Sequence, residues 1–296
     1  MTLSLSVVVC THNRPADLRR CLDALSEVEG EFDVIVVDSA SQPSCRPLVD
    51  DYRTRIGSLR YLSEERLGHS RARNRGIADA RGDVIAFLDD DAAPHHDWAR
   101  QIVLPFERDD AIGCVGGACH AVFPDVPRPS WLSDRLLQFA AITRFGPIGR
   151  EARSSSEWPF GANMAFRRDA LLAASPFPER LGRHGSNLLS GDETPVIESV
   201  RRHGWKVWLE PSAVVDHAVH VERCQSRYYW RRLWWTGITR ARATDASAML
   251  GFRLVAAAGV RLVAFACSWD RVYLYRTAET AGFLAERARL LLKTAP

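Results

Sequence analysis

Three carboxylates in a row, Asp89-Asp90-Asp91, follow directly on the apolar run Val84 to Leu88 and precede Ala92-Ala93-Pro94. A run of this kind fills a buried strand, so a core element ends by delivering concentrated negative charge to one spot. Adjacent carboxylates repel, and desolvating them without a counter-charge is expensive, so a cation belongs there. In an extended segment Asp89 and Asp91 share one side while Asp90 points away, which lets the first and third grip one ligand. Hard oxygen donors suit Mg²⁺ or Mn²⁺, with phosphate oxygens of a substrate completing the shell. The other reading is a solvated acidic turn. The apolar strand favours the ligand site, because open α/β sheets bind their ligands at strand ends.

The elements that must position this spot alternate between strand and helix. Leu5 to Cys10 reads as a buried strand, ending in the loop Thr11-His12-Asn13-Arg14, and Pro15 suits the first turn of a helix that carries Leu18, Cys21, Leu22 and Leu25 at helical spacing. The loop has neither the Gly-x-Gly-x-x-Gly pattern nor the Lys-Ser/Thr phosphate loop, which disfavours ordinary NAD enzymes and P-loop ATPases. Phe32 to Val37 is a second strand with Asp38 at its tip, either a partner for a ribose or base or a turn former. Arg60 to Leu62 is a weaker strand. After Gly68 a helix carries Arg71, Arg73 and Arg75 in its first turns, against the helix dipole; either an anion lies nearby or the three are solvated. Trp98, Ile102 and Phe106 continue as helix, and Ile112 to Val115 is a strand before Gly116-Gly117. This alternation predicts an α/β fold with a Rossmann-like, mostly parallel sheet and covering helices.

Composition is that of an ordinary globular protein: 296 residues, 46% hydrophobic and 25% charged. The 7 cysteines are odd in number and lack short paired spacings, so a disulfide framework or zinc site is not expected and a cytoplasmic location is. Met1-Thr2-Leu3-Ser4 does not resemble a secretory leader. The longest apolar stretch, Leu254 to Cys267, is short for a membrane span and contains Arg261. Residues 223–296 hold 13 Lys and Arg against 4 Asp and Glu, a net of +9, leaving −6 for the rest. Such a basic region suits an anionic lipid surface, an anionic acceptor or a solvated helical face, and it contains no recognisable nucleic-acid-binding module.

Four segments in order, Val7-Val8-Val9-Cys10-Thr11-His12-Asn13-Arg14, Val36-Val37-Asp38-Ser39-Ala40-Ser41, Ala72-Arg73-Asn74-Arg75-Gly76-Ile77 and Phe87-Leu88-Asp89-Asp90-Asp91, together resemble glycosyltransferase family 2 across residues 4–117, with looser similarity to about residue 240. The resemblance implies a glycosyltransferase-A fold, a nucleoside-diphosphate sugar at the strand tips and a divalent metal bridging its diphosphate to the aspartates. It assigns donor binding to Thr11, Asn13, Arg14, Asp38, Arg73, Asp89 and Asp90, and the metal to Asp91 with Asp89 and His217. It also implies acceptor contacts at Trp158, Gly161, Ala162 and Asn163, where small residues let the backbone approach a sugar.

Ser190-Gly191-Asp192-Glu193 precedes a helix carrying Val196, Ile197 and Val200. Inverting sugar transfer needs a general base, and a carboxylate at a helix start is well placed for it; Asp192 as a helix cap is the plainer alternative. Family members usually have Glu-Asp here, so register assigns the base to Glu193, with Asp192 as the other candidate. Lys206 to Leu209 and Ala213 to Val215 read as strands, the second reaching His217, a residue either structural or metal-binding. Arg223 resembles a basic position that neutralises the leaving group. Tyr228 to Trp235 is aromatic and basic, suited to sugar stacking, lipid headgroups or core packing. From Ser247 onward, Phe252, Val255, Val260, Val263 and Phe265 suggest two amphipathic helices that cover the catalytic domain, contact membrane or mediate homo-oligomerisation.

The expected organisation is a nucleotide-sugar-binding half over 1–117, an acceptor-binding half over 118–222 and a basic helical region over 223–296. The expected function is metal-dependent inverting transfer of a sugar to an acceptor hydroxyl. The alternatives are a catalytically silent sugar-nucleotide-binding or membrane-surface scaffold and a nucleotidyltransferase, though the latter is expected to carry a Gly-rich basic loop where Thr11-His12-Asn13-Arg14 stands.

Overall fold

The computed structural model describes residues 3–143, 145–183, 187–243, 259–262, 264–266 and 268–294. The chain divides into two compact units, one from 1–122, 141–185 and 191–218, the other from 123–140, 186–190 and 219–296.

In the first unit the strands are β1 (Leu5–Thr11), β2 (Phe32–Ser39), β3 (Leu59–Glu64), β4 (Val84–Asp89), β5 (Ala92–Pro94), β6 (Ile112–Val122), β7 (Arg150–Glu151), β8 (Asn163–Arg167) and β9 (Lys206–Ala218). They form one sheet in the order β3-β2-β1-β4-β8-β6-β9-β5, with β7 also on β9. Its helices are α1 (Pro15–Leu25), α2 (Arg46–Asp51), α3 (His69–Asp79), α4 (Trp98–Arg108), α6 (Arg168–Ala173) and α7 (Glu193–Arg202), α5 (Asp134–Leu137) belonging to the second unit. Val7, Val8 and Val9 of β1 and Ile85 and Ala86 of β4 are wholly buried, so both faces of the central strands are covered. The helices supply that cover: Leu18, Cys21 and Leu22 of α1 and Trp98, Ile102 and Phe106 of α4 pack on one face, Val196, Ile197 and Val200 of α7 on the other.

The sheet is mixed rather than parallel throughout. β1, β2, β3 and β4 pair in parallel, as do β6 and β9, but β8 runs antiparallel to both β4 and β6. A parallel β8 would need the chain to return to the opposite edge, typically through a covering helix. Instead β8 starts at Asn163 opposite Leu88, the tip end of β4. The two strands expected at 206–209 and 213–215 are one strand, β9, with a register shift where Gly117 pairs with Glu210 and Ala118 with Val214.

In the second unit α8 (Ser226–Ala243) and α9 (Arg271–Thr294) run side by side in the same direction: Ser226 Oγ lies 2.6 Å from the Tyr275 hydroxyl, and Arg242 Nε donates to Glu286 Oε1 at 2.9 Å further along. They approach closely at Gly237 and Gly282, where a Cβ would meet the backbone of the facing helix. Tyr229 and Leu233 are fully buried, and Tyr229 and Tyr275 pack edge-on to Trp131, so this side of the aromatic segment is core. Phe252, Val255 and Val263 lie outside the described residues. Among the described residues no helix is long and apolar enough to cross a membrane.

Candidate active site

Asp89 is the last residue of the central strand β4, and the turn that follows splits the three carboxylates. Asp89 and Asp91 face His217 of β9, whose Nε2 lies 3.1 Å from Asp91 Oδ1 and 3.9 Å from Asp89 Oδ2. The register of β5 on β9, Ala92 opposite His217, fixes this meeting, and Ala218 N donates to Asp91 O at 2.9 Å. One donor atom from each of the three side chains lies within 4.8 Å of the others, two carboxylate oxygens and an imidazole nitrogen, a set that fits a divalent cation.

Asp90 points the other way. Its Oδ2 accepts from Thr11 Oγ1 and its Oδ1 from Arg14 Nη1, both at 2.8 Å, while Arg14 Nη2 reaches Asp91 Oδ2 at 3.0 Å and Nε reaches Asp17 at 3.0 Å. Arg14 is thus one of the cations the carboxylate cluster demands. Arg73 is another. α3 lies on β1 at Gly76, where a Cβ would overlap Val8, and the same helical face turns Arg73 and Ser70 inward. The Arg73 guanidinium is 2% exposed and spans two carboxylates, Asp192 at 3.2 Å and Asp89 at 3.6 Å, over the rings of Phe87 and Phe177. Its flanking arginines take outward partners, Arg71 pairing with Glu179 and Arg75 with Asp79.

Asp192 stands at the N-cap position of α7 without a side-chain capping hydrogen bond and is 4% exposed; its Oδ2 accepts instead from Ser70 Oγ at 2.9 Å and from Arg73 Nη1. Burial pushes its carboxyl up, but the Arg73 charge and the Ser70 hydrogen bond outweigh this and hold it below the ordinary range. Glu193, the first helical residue, hydrogen-bonds Asp192 and is less enclosed. Burial and then the Asp192 charge push Glu193 up to about 7, against the pull of Arg73. Two adjacent carboxyls are therefore driven apart, one held ionised and the other poised near neutrality. Asp89 is held low as well: burial opposes, but the His217 hydrogen bond and the Arg73 charge prevail.

The loops after β1 and β2 are tied together. Asn13, in the left-handed region at φ 54°, donates its N–H to Ser41 Oγ at 2.9 Å and accepts from Gln42 N at 2.7 Å. Asp38 is 2% exposed and accepts from Ser41 N, Cys45 N and the Tyr61 hydroxyl, so it organises its own loop. Gly161 and Ala162 sit before β8, and Gly161 abuts Arg73. Asn163, expected at an acceptor, is fully buried, accepting from Trp98 Nε1 and donating to Ala118 O and Ala213 O, and so ties β8 to α4, β6 and β9. Trp158 is partly buried, with its indole N–H unpartnered among the described residues. Arg223 lies in the short turn Val221–Cys224 of the second unit.

His69 and Ser70 escape a reading by motif. His69 Nε2 is 3.9 Å from Asp89, and burial, then Arg73, push the imidazole down to about 4, so it is neutral at pH 7. The available signal is Gly76, which marks the packed face of α3 and implies that residues three and six positions earlier turn inward too.

The family model described as Glycosyl transferase family 2 matches residues 6–172. Among curated proteins, this chain is 25% identical over 246 residues to the glucosyl-dolichyl phosphate glucuronosyltransferase of Haloferax volcanii, covering 80% of this chain and 76% of that protein. It is 28% identical over 246 residues to the succinoglycan biosynthesis protein ExoM of Rhizobium meliloti, covering 81% and 75%. Among solved structures it resembles the mannosyltransferase PcManGT from Pyrobaculum calidifontis in complex with GDP-Man and Mn²⁺, with a TM-score of 0.63 at 20% identity over 100% of this chain and 89% of that one.

Proposed function

The chain belongs to glycosyl transferase family 2, is a glycosyltransferase of the glycosyltransferase-A fold, and on that premise we propose that it catalyses metal-dependent, inverting transfer of a sugar from a nucleoside-diphosphate sugar to an acceptor hydroxyl. The observation that carries this reading is the chain of contacts His217, Asp91, Asp89, Arg73, Asp192, which joins a three-donor cation site to a helix start bearing Glu193.

Asp89, Asp91 and His217 would hold Mn²⁺ or Mg²⁺, and PcManGT was solved with Mn²⁺. Such an ion supplies positive charge against the departing diphosphate. Glu193 takes the proton of the acceptor hydroxyl, which bonds to the anomeric carbon as the bond from that carbon to the diphosphate oxygen breaks. Asp192 stays ionised on Arg73 and Ser70 and orients Glu193, so it positions the base rather than serving as one. Thr11 and Arg14 hold Asp90 away from the cation site, while Asn13 and Asp38 shape the loops that receive the nucleoside.

Thermal-shift binding of UDP, GDP and dTDP, with and without Mn²⁺, tests this on the wild-type chain and Asp91→Ala. Stabilisation by one nucleotide that needs the metal and is lost in the variant supports the proposal and names the donor class. No stabilisation of the folded wild type by any of them overturns it.

A further inference from the structure

The second unit contains a helix that is the wrong way round for water. Residues 259–262, 264–266 and 268 are helical. The one charged side chain among them, Arg261, turns onto α9, where its Nη1 donates to Arg276 O and Thr280 Oγ1, each at 3.1 Å. The residues left outside from 259 to 266 are Gly259, Val260, Leu262 and Ala266. Val260 is 69% exposed, Leu262 49% and Trp269, just past the helix, 78%. A helix at a water boundary puts its charges outward and its apolar stripe inward. Here the arginine is turned onto α9, and every described exposed residue from 259 to 266 lacks a polar side chain.

Charge identifies the apolar medium that this face suits. Residues 223–296 carry a net +9, and Arg227, Arg231 and Arg271 are exposed. Two copies of so basic a region repel, whereas an anionic bilayer attracts it and accepts tryptophan at headgroup depth. Among the described residues no helix is long and apolar enough to cross a membrane, so the contact inferred is an interfacial one. We infer that the second unit docks on an anionic lipid bilayer, with Val260, Leu262 and Trp269 entering the headgroup–acyl boundary and the arginines meeting lipid phosphates. The inference does not rest on the proposed sugar transfer.

Co-sedimentation of the full chain with phosphatidylcholine vesicles, with and without phosphatidylglycerol, tests the inference. Binding to the anionic vesicles is expected to weaken with salt and to fall about tenfold or more in Leu262→Glu/Trp269→Ala. Both residues are exposed, and circular dichroism checks that the fold persists. Failure of the folded wild type to sediment with anionic vesicles at low salt overturns the inference, as does undiminished binding by the double variant. A wild-type dimer in light scattering that Leu262→Glu converts to monomer, without vesicle binding, assigns the face to a second copy instead.

Discussion

Gly161 rests its Cα on the guanidinium of Arg73, so closely that a Cβ at position 161 would overlap Nη2. The residue expected at the acceptor thus also makes room for an arginine. That arginine bridges Asp89 at the end of β4 and Asp192 at the start of α7. The proposed cation site and the proposed base thus share one buried positive charge.

Gly161→Ala is therefore expected to displace Arg73 and to lower stability by about 1–3 kcal/mol, the range for overpacking a filled interior. Turnover should fall further than the stability loss explains, because Asp192 loses its counter-charge. Gly57→Ala, with open space around its added Cβ, serves as the control. Chemical denaturation and initial rates on both variants check this; equal behaviour of the two would refute the Arg73 bridge.

The carboxyl pair gives a pH prediction with a definite sign. The proposed base Glu193 can act only when ionised, and burial with the Asp192 charge pushes it up from 4.5 to about 7, so the rate should rise with pH through about 7. Asp192→Asn removes the neighbouring charge and should move that limb to lower pH; Glu193→Gln should cut kcat by roughly 10²–10⁴. Stability runs the opposite way. Between 4.5 and about 7 the native Glu193 holds more protons than the unfolded one, so its contribution to stability falls as pH rises, and Glu193→Gln should remove that slope. Rate and denaturation profiles of the three proteins decide.

How far these features are legible in the sequence depends on how local their causes are. The end of β4 is legible because an apolar run into Asp89-Asp90-Asp91 is a purely local pattern, and side-chain alternation already separates Asp90 from its neighbours. The start of α7 is legible from Asp192 and the spacing of Val196, Ile197 and Val200. The direction of β8 is not, because it follows from where the chain re-enters the sheet. The burial of Arg73 is equally hidden, since it needs Gly161, Phe177 and Asp192 from distant segments. His69 and Ser70 gain their roles only once α3 is laid on β1.

His217 is 1% exposed and sits against Asp91, which tests metal against structure. If the imidazole is a ligand, His217→Ala should weaken Mn²⁺ binding without unfolding the chain. A metal that stabilises the wild type by about 2.7 kcal/mol at 100-fold its dissociation constant should then stabilise the variant far less at the same concentration. Calorimetric titration with Mn²⁺ alone, in the absence of nucleotide, measures this directly. Unchanged affinity would confine His217 to the core.

Asn163 separates packing from recognition. Its amide joins Trp98 of α4 to Ala118 of β6 and Ala213 of β9, and its neighbour Gly117 leaves room that a Cβ would fill by striking the Asn163 amide. Truncation to alanine strands a buried indole N–H and two carbonyls, which should cost about 3 kcal/mol. Asn163→Ala should therefore lower the denaturation midpoint substantially while leaving the acceptor KM unchanged at a temperature where the variant is folded. A side chain that touched the acceptor would give the reverse, a raised KM with little loss of stability. The clamp also explains why β8 can run antiparallel between β4 and β6: an amide that accepts from α4 and donates to β6 and β9 pins the strand's first residue in place.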